Sequence, residues 1–131
     1  MIELAILYRT LNLFVHHAHN LTKGATFHED HAFFGDLYAT ADDYYDSIIE
    51  RIIGTSDDKI DLCEIIKESY TLLEQMNDEF YNTSLILIDE IIKHIDSISK
   101  DGKISVGTQN LIQGQADALE VIIYKIKRKL K

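Results

Sequence analysis

A chain of 131 residues with no proline, one cysteine and a formal charge of −9 can bury one real core but is too short for two domains of usual size. The lone Cys63 excludes an intramolecular disulfide, and neither a cleavable leader nor an apolar run of about 18 residues is present, so a soluble cytoplasmic protein without membrane contact is expected. The acidic balance opposes nonspecific binding to nucleic acid or anionic lipid, which needs cationic surface to release phosphate counterions, and it suits cations instead.

The missing prolines, the few glycines and the dominance of Leu and Ile remove the punctuation of a β fold and point to an all-α chain. Leu4, Leu7, Tyr8, Leu11, Phe14, Val15 and Ala18 recur at three and four, predicting a first helix over roughly 2–22 with Gly24 as a left-handed stop. Thr26 followed three residues later by Glu29 reads as a capping box that starts a second helix near Phe27. Its stripe of Phe34, Leu37, Ala41, Tyr44, Ile48 and Ile52 runs up to Gly54, which gives about 27 residues and roughly 40 Å of helix. Thr55 to Asp58 is a polar break, and Asp61 with Glu64 makes a cap-like pair before Leu62, Ile65 and Ile66, either a short linking helix or the start of the next one. A third helix carries Leu73, Met76, Phe80, Leu87, Ile91, Ile95 and Ile98 to Asp101-Gly102, and a fourth carries Leu111, Ala118, Leu119, Ile122 and Ile126. Packing around one axis, at crossing angles near 20°, buries all four stripes at once. The expected architecture is therefore a four-helix bundle forming a single domain over 1–131, with or without a short separate helix between helices two and three.

Five of the six histidines, His16, His17, His19, His28 and His31, fall at the end of the first helix and the start of the second. Downstream, Asp42, Asp46 and Glu50 recur every four residues and so line one flank of the second helix. Three like charges in a row are tolerated if the flank is solvated, if cationic side chains approach, or if a metal ion binds. Neutral imidazoles with carboxylates suit iron, zinc or manganese, whereas an all-oxygen set would suit calcium or magnesium. Solvated acidic faces and histidines that only cap helix carbonyls are the plainer alternatives.

The stretch His19-Asn20-Leu21-Thr22-Lys23-Gly24-Ala25-Thr26-Phe27, then His31, then Asp46-Ser47-Ile48-Ile49-Glu50-Arg51, resembles the signature of the Dps mini-ferritins, members of the ferritin-like superfamily. In that family a histidine precedes a basic-Gly turn, a second follows twelve residues later, and an Asp-x-x-x-Glu-Arg group follows after fifteen more. His19, His31, Asp46, Glu50 and Arg51 occupy those positions. The resemblance implies a ferritin-like bundle in which His19 and His31 of one subunit face Asp46 and Glu50 of a two-fold partner, with twelve subunits closing a hollow shell. It implies further that Fe(II) is oxidised at that interface, preferentially by hydrogen peroxide, and stored as ferric mineral, which protects against oxidative damage. Zinc or manganese would suit the same ligands. The absence of any Glu-x-x-His pair agrees with a mini-ferritin and disagrees with the larger di-iron bundles.

Two departures from the family pattern matter. Where the family has an Asp ligand four residues after the second histidine, this chain has Gly35, and where it often has Trp after the first histidine, this chain has Asn20. Asp36 is turned about 100° around the helix from that position, which leaves His28, His16 and Asp42 as candidate auxiliary ligands. The lysine-rich amino-terminal tail of DNA-binding members is not expected, because the first helix starts almost at Met1. Lys125, Lys127, Arg128, Lys129 and Lys131 could bind DNA through many copies or simply complement the last turn of their helix. Three functions therefore stand after the sequence: a ferroxidase and iron store, a shell that binds metal without turnover, and a helical interaction module with a degenerate site.

Overall fold

The computed structural model describes residues 1–131 and is helical throughout. Its elements are α1 (Ile2–Leu21), α2 (Phe27–Ser56), α3 (Leu62–Leu73), α4 (Phe80–Asp101) and α5 (Val106–Lys129). The four long helices form the bundle, and the short α3 lies against α1. α1 is the hub, packing on α2, α3 and α4, while α5 packs mainly on α4. The core unites Leu4, Tyr8, Leu11 and Val15 of α1 with Phe34, Leu37 and Ile48 of α2, Ile88 and Ile91 of α4, and Ile112, Leu119 and Ile126 of α5. Each such side chain, fully buried, contributes about 1.5–3 kcal/mol. No helix is long and apolar enough to cross a membrane.

Several helix ends differ from what the sequence pattern suggests, each for a local reason. Thr26 has a backbone at φ −104°, ψ 21° rather than the extended form an N-cap uses, so the capping box with Glu29 does not form. Its hydroxyl donates instead to Asp30 Oδ2 at 2.7 Å. α2 passes through Gly54 and ends at Asp57, a left-handed residue at φ 55° whose amide donates to the Ile53 carbonyl. Asp is one of the few residues that tolerates that region. The second cap does form: Asp61 accepts the Glu64 amide at 3.2 Å, so α3 is an element of its own.

The third helix of the sequence reading is broken between Leu73, which ends α3, and Phe80, which opens α4. Asn77 makes the break by accepting the Glu79 amide at 2.9 Å and the Thr83 hydroxyl at 3.2 Å, an Asx turn that competes with helix. Gly102, at φ 72°, closes α4, and Ser105 caps α5 by accepting the Thr108 amide at 3.1 Å.

At one end of the bundle the half-buried Asp30 joins three helices. Tyr81 of α4 donates to its Oδ1 at 2.6 Å, and Lys129 of α5 lies 3.1 Å from the same oxygen. Burial pushes the Asp30 carboxyl up, but the hydrogen bonds from Tyr81, Thr26 and Lys129 and the charge of Lys129 outweigh it and hold the group below its ordinary value. The Tyr81 phenol is pushed well up, by burial first and then by its bond to Asp30. Lys129 is thereby tied down, whereas Lys125, Lys127, Arg128 and Lys131 are exposed and make no ion pair.

Candidate metal centre

α1 and α2 form an antiparallel hairpin around the turn at Gly24, whose φ of 92° requires a residue without Cβ. The turn sets His19, in the last turn of α1, against His31, one turn into α2. Their rings stack with centroids 3.6 Å apart and planes at 23°. Nδ1 of His19 lies 2.7 Å from the His31 carbonyl oxygen, and Nδ1 of His31 lies 2.9 Å from the His19 carbonyl oxygen. A carbonyl can only accept, so both Nδ1 atoms carry the hydrogen and both Nε2 atoms keep a lone pair when the rings are neutral. This is the arrangement that orients histidines as metal ligands: one nitrogen held by a backbone carbonyl, the other free for the ion.

The chain supplies these acceptors for a physical reason. The His19 carbonyl belongs to the last turn of α1, where no following amide satisfies it. It receives His31 and also the hydroxyl of Thr22 at 3.1 Å. Phe27 stacks on the outer side of His31 with centroids 5.0 Å apart, and Tyr38 meets His19 edge-on at 5.3 Å. In the sequence Thr22 and Phe27 stand inside the quoted motif without a role in the site, and Tyr38 reads as a packing aromatic of the second helix. Phe27 stands four residues before His31 and Thr22 three after His19, and those helical spacings were the available signal.

Of the remaining candidates, His16 comes nearest to this pair, its ring centroid 6.3 Å from that of His19. His16 is exposed and stacks on Tyr38 at 4.2 Å, and His28 is exposed beside Phe27. Asp42 is 3.0 Å from Arg9, whose guanidinium also covers the Tyr45 ring at 3.8 Å, so a cation already answers one of the three carboxylates. Asp46 and Glu50 are exposed, and none of the chain's ion pairs involves them. Arg51 turns away from them toward the Thr108 hydroxyl, at 3.4 Å. Fifteen residues of helix place Asp46 roughly 22 Å along α2 from His31, so the two cannot meet within one chain.

Accordingly, no three His, Cys, Asp or Glu side chains of the chain come together as a metal site. What the chain does bring together is two imidazoles. Their donor chemistry fits a first-row divalent metal, with further ligands required from elsewhere. An imidazole binds a metal in its own plane, so two rings only 23° apart offer two coordination directions side by side, and one ion shared by both requires the stack to open. No family model, curated protein or solved structure matches this chain.

Proposed function

We propose that the chain is a Dps-like mini-ferritin whose ferroxidase centre forms across a two-fold axis between copies and whose dodecameric shell stores ferric iron. The observation that carries this reading is the reciprocal His19 and His31 clasp, which frees two Nε2 atoms, on a chain whose unpaired Asp46 and Glu50 lie out of their reach. Antiparallel pairing of α2 with its copy brings the partner subunit's Asp46 and Glu50 to His19 and His31 and repeats the centre on the other side of the axis. Fe(II) is the substrate. The imidazoles bind it, and the carboxylates favour the rising charge as it becomes Fe(III). Hydrogen peroxide takes one electron from each of two Fe(II) ions, its O–O bond breaks, and with two protons both oxygens leave as water.

Peroxide-driven Fe(II) oxidation, followed optically, is expected to be lost in His31→Ala and in Glu50→Ala, and a sizing run is expected near 180 kDa, roughly twelve times the 15.0 kDa chain. Such a pairing also puts the exposed Ala39, roughly midway between His31 and the acidic pair, close to the axis. With the exposed Cys63 replaced by Ser, Ala39→Cys should then cross-link two copies. Oxidation that survives both ligand substitutions, or a monomer on sizing, removes the proposal.

A second reading, a shell or helical module that holds metal without turnover, is favoured by Gly35, since no side chain stands where the resemblance places a third ligand. Metal retention without peroxide consumption would select it.

A further inference from the structure

Position 35 lies one turn beyond His31, inside α2, where glycine costs about 1 kcal/mol relative to alanine. Its backbone is not in the left-handed region, so the conformation does not call for glycine. The neighbour does. A Cβ built on Gly35 would stand 3.1 Å from both Cε1 and Nδ1 of the His19 ring, inside the 3.5–4.0 Å at which such atoms attract. The ring therefore lies over bare backbone, and from there its Nδ1–H reaches the His31 carbonyl, the oxygen that in a helix also receives the amide of residue 35.

We propose that Gly35 is the positioning residue of the centre: by carrying no side chain it seats the His19 ring, holds that ring in its Nδ1–H tautomer and limits what one chain supplies to two nitrogen donors. The inference rests on the metal reading above and deepens it. A carboxylate at position 35 and the clasp compete, because the Cβ that would bear the carboxylate stands 3.1 Å from the ring and obliges it to shift. Two neutral imidazoles select borderline divalent ions such as cobalt(II) and zinc(II) over magnesium and calcium, which take oxygen ligands. Loss of the carbonyl contact removes an outer partner of a ligand, a change worth about 10–100-fold in metal affinity.

The test uses the full chain and two readouts. Long-range proton–nitrogen NMR of the metal-free protein is expected to show Nδ1–H tautomers for His19 and His31. In Gly35→Ala, His19 should lose that tautomer while circular dichroism shows helix content kept or raised. Equilibrium dialysis against cobalt(II) should then show affinity weaker by about tenfold or more, and Gly35→Asp should lose the His19 tautomer as well. Gly35→Ala with both tautomers and the cobalt(II) affinity of the natural chain overturns the proposal. So does Gly35→Asp with the His19 tautomer intact and tighter cobalt(II) binding. Tautomers that respond to Gly35→Ala in a chain that retains no cobalt(II) uphold the seating of His19 and overturn the metal reading alone.

Discussion

The α1–α2 hairpin and the α4–α5 hairpin each bury an apolar stripe, the first the larger, and they use their polar side chains in different ways. In the first, side chains of one helix reach the other: Arg9 to Asp42, Asn12 to the Tyr38 carbonyl at 2.9 Å, and the two histidines to each other's carbonyls. In the second, the ion pairs of α4 run along its own surface, Lys93 with Asp89 and Lys100 with Asp96. Exposed pairs of that kind are screened by water and add little, and they do not fix the helix against a neighbour. Bonds to a neighbour's backbone instead fix register and rotation at particular residues. The first hairpin thus fixes individual side chains against the neighbouring helix, while the second is held by its apolar face and by the contacts of Tyr81 and Lys129 with Asp30.

Removing core volume from the α4–α5 hairpin should give the largest effect. Ile88, fully buried in α4, truncated in Ile88→Ala, should cost about 2–5 kcal/mol in a urea melt with the His19 and His31 tautomers unchanged. If those tautomers changed with it, the division between hairpins would fail.

Next comes Asp30, the one carboxylate that holds both hairpins together. Asp30→Asn should cost about 1–3 kcal/mol at neutral pH, since it weakens charge-assisted bonds from partly buried donors. The sign with pH follows from the lowered pKa: the unfolded chain takes up the proton first. The stabilisation is therefore complete above about pH 4 and disappears as pH falls through the folded value. Urea midpoints of the natural chain and Asp30→Asn should stay apart by a constant amount from pH 5 to 8, by order of magnitude, and converge in acid. A gap that widened in acid would show that burial, and not Tyr81, Thr26 and Lys129, governs this group.

The four long stripes were legible because apolar residues at three and four leave only one face to bury, and Asp61 was legible because a cap is a contact between near neighbours in sequence. Thr26 misled because the same residues can bond one position further on, to Asp30, and Asn77 was missed because its Asx turn interrupts a periodicity that continues on both sides. In the site, the histidines and their spacing could be read, and so could the gap at Gly35. That His19 fills the gap could not, because it depends on where a ring from α1 comes to lie on α2. The proposed pairing of Asp46 and Glu50 with a second copy depends on a surface that one chain does not contain.

The smallest effect belongs to His94, on the face of α4 near the start of α1. Burial lowers its pKa, the amino group of Met1 lowers it further, and Glu3 opposes both. For a base the charged form is then disfavoured in the folded chain, so the unfolded chain protonates first, near pH 6.5. Stability should be complete above that pH and decline as pH falls toward the lower folded value. His94→Gln removes the titration, so the natural chain should lose stability relative to it over this interval and run parallel to it at higher pH. The window lies well above that of Asp30, so one series of melts separates the two. A natural chain that gained stability on the same acidification would mean that the Glu3 carboxylate outweighs desolvation and the ammonium together, and that this end of α4 is held by charge in the manner of the α1–α2 hairpin.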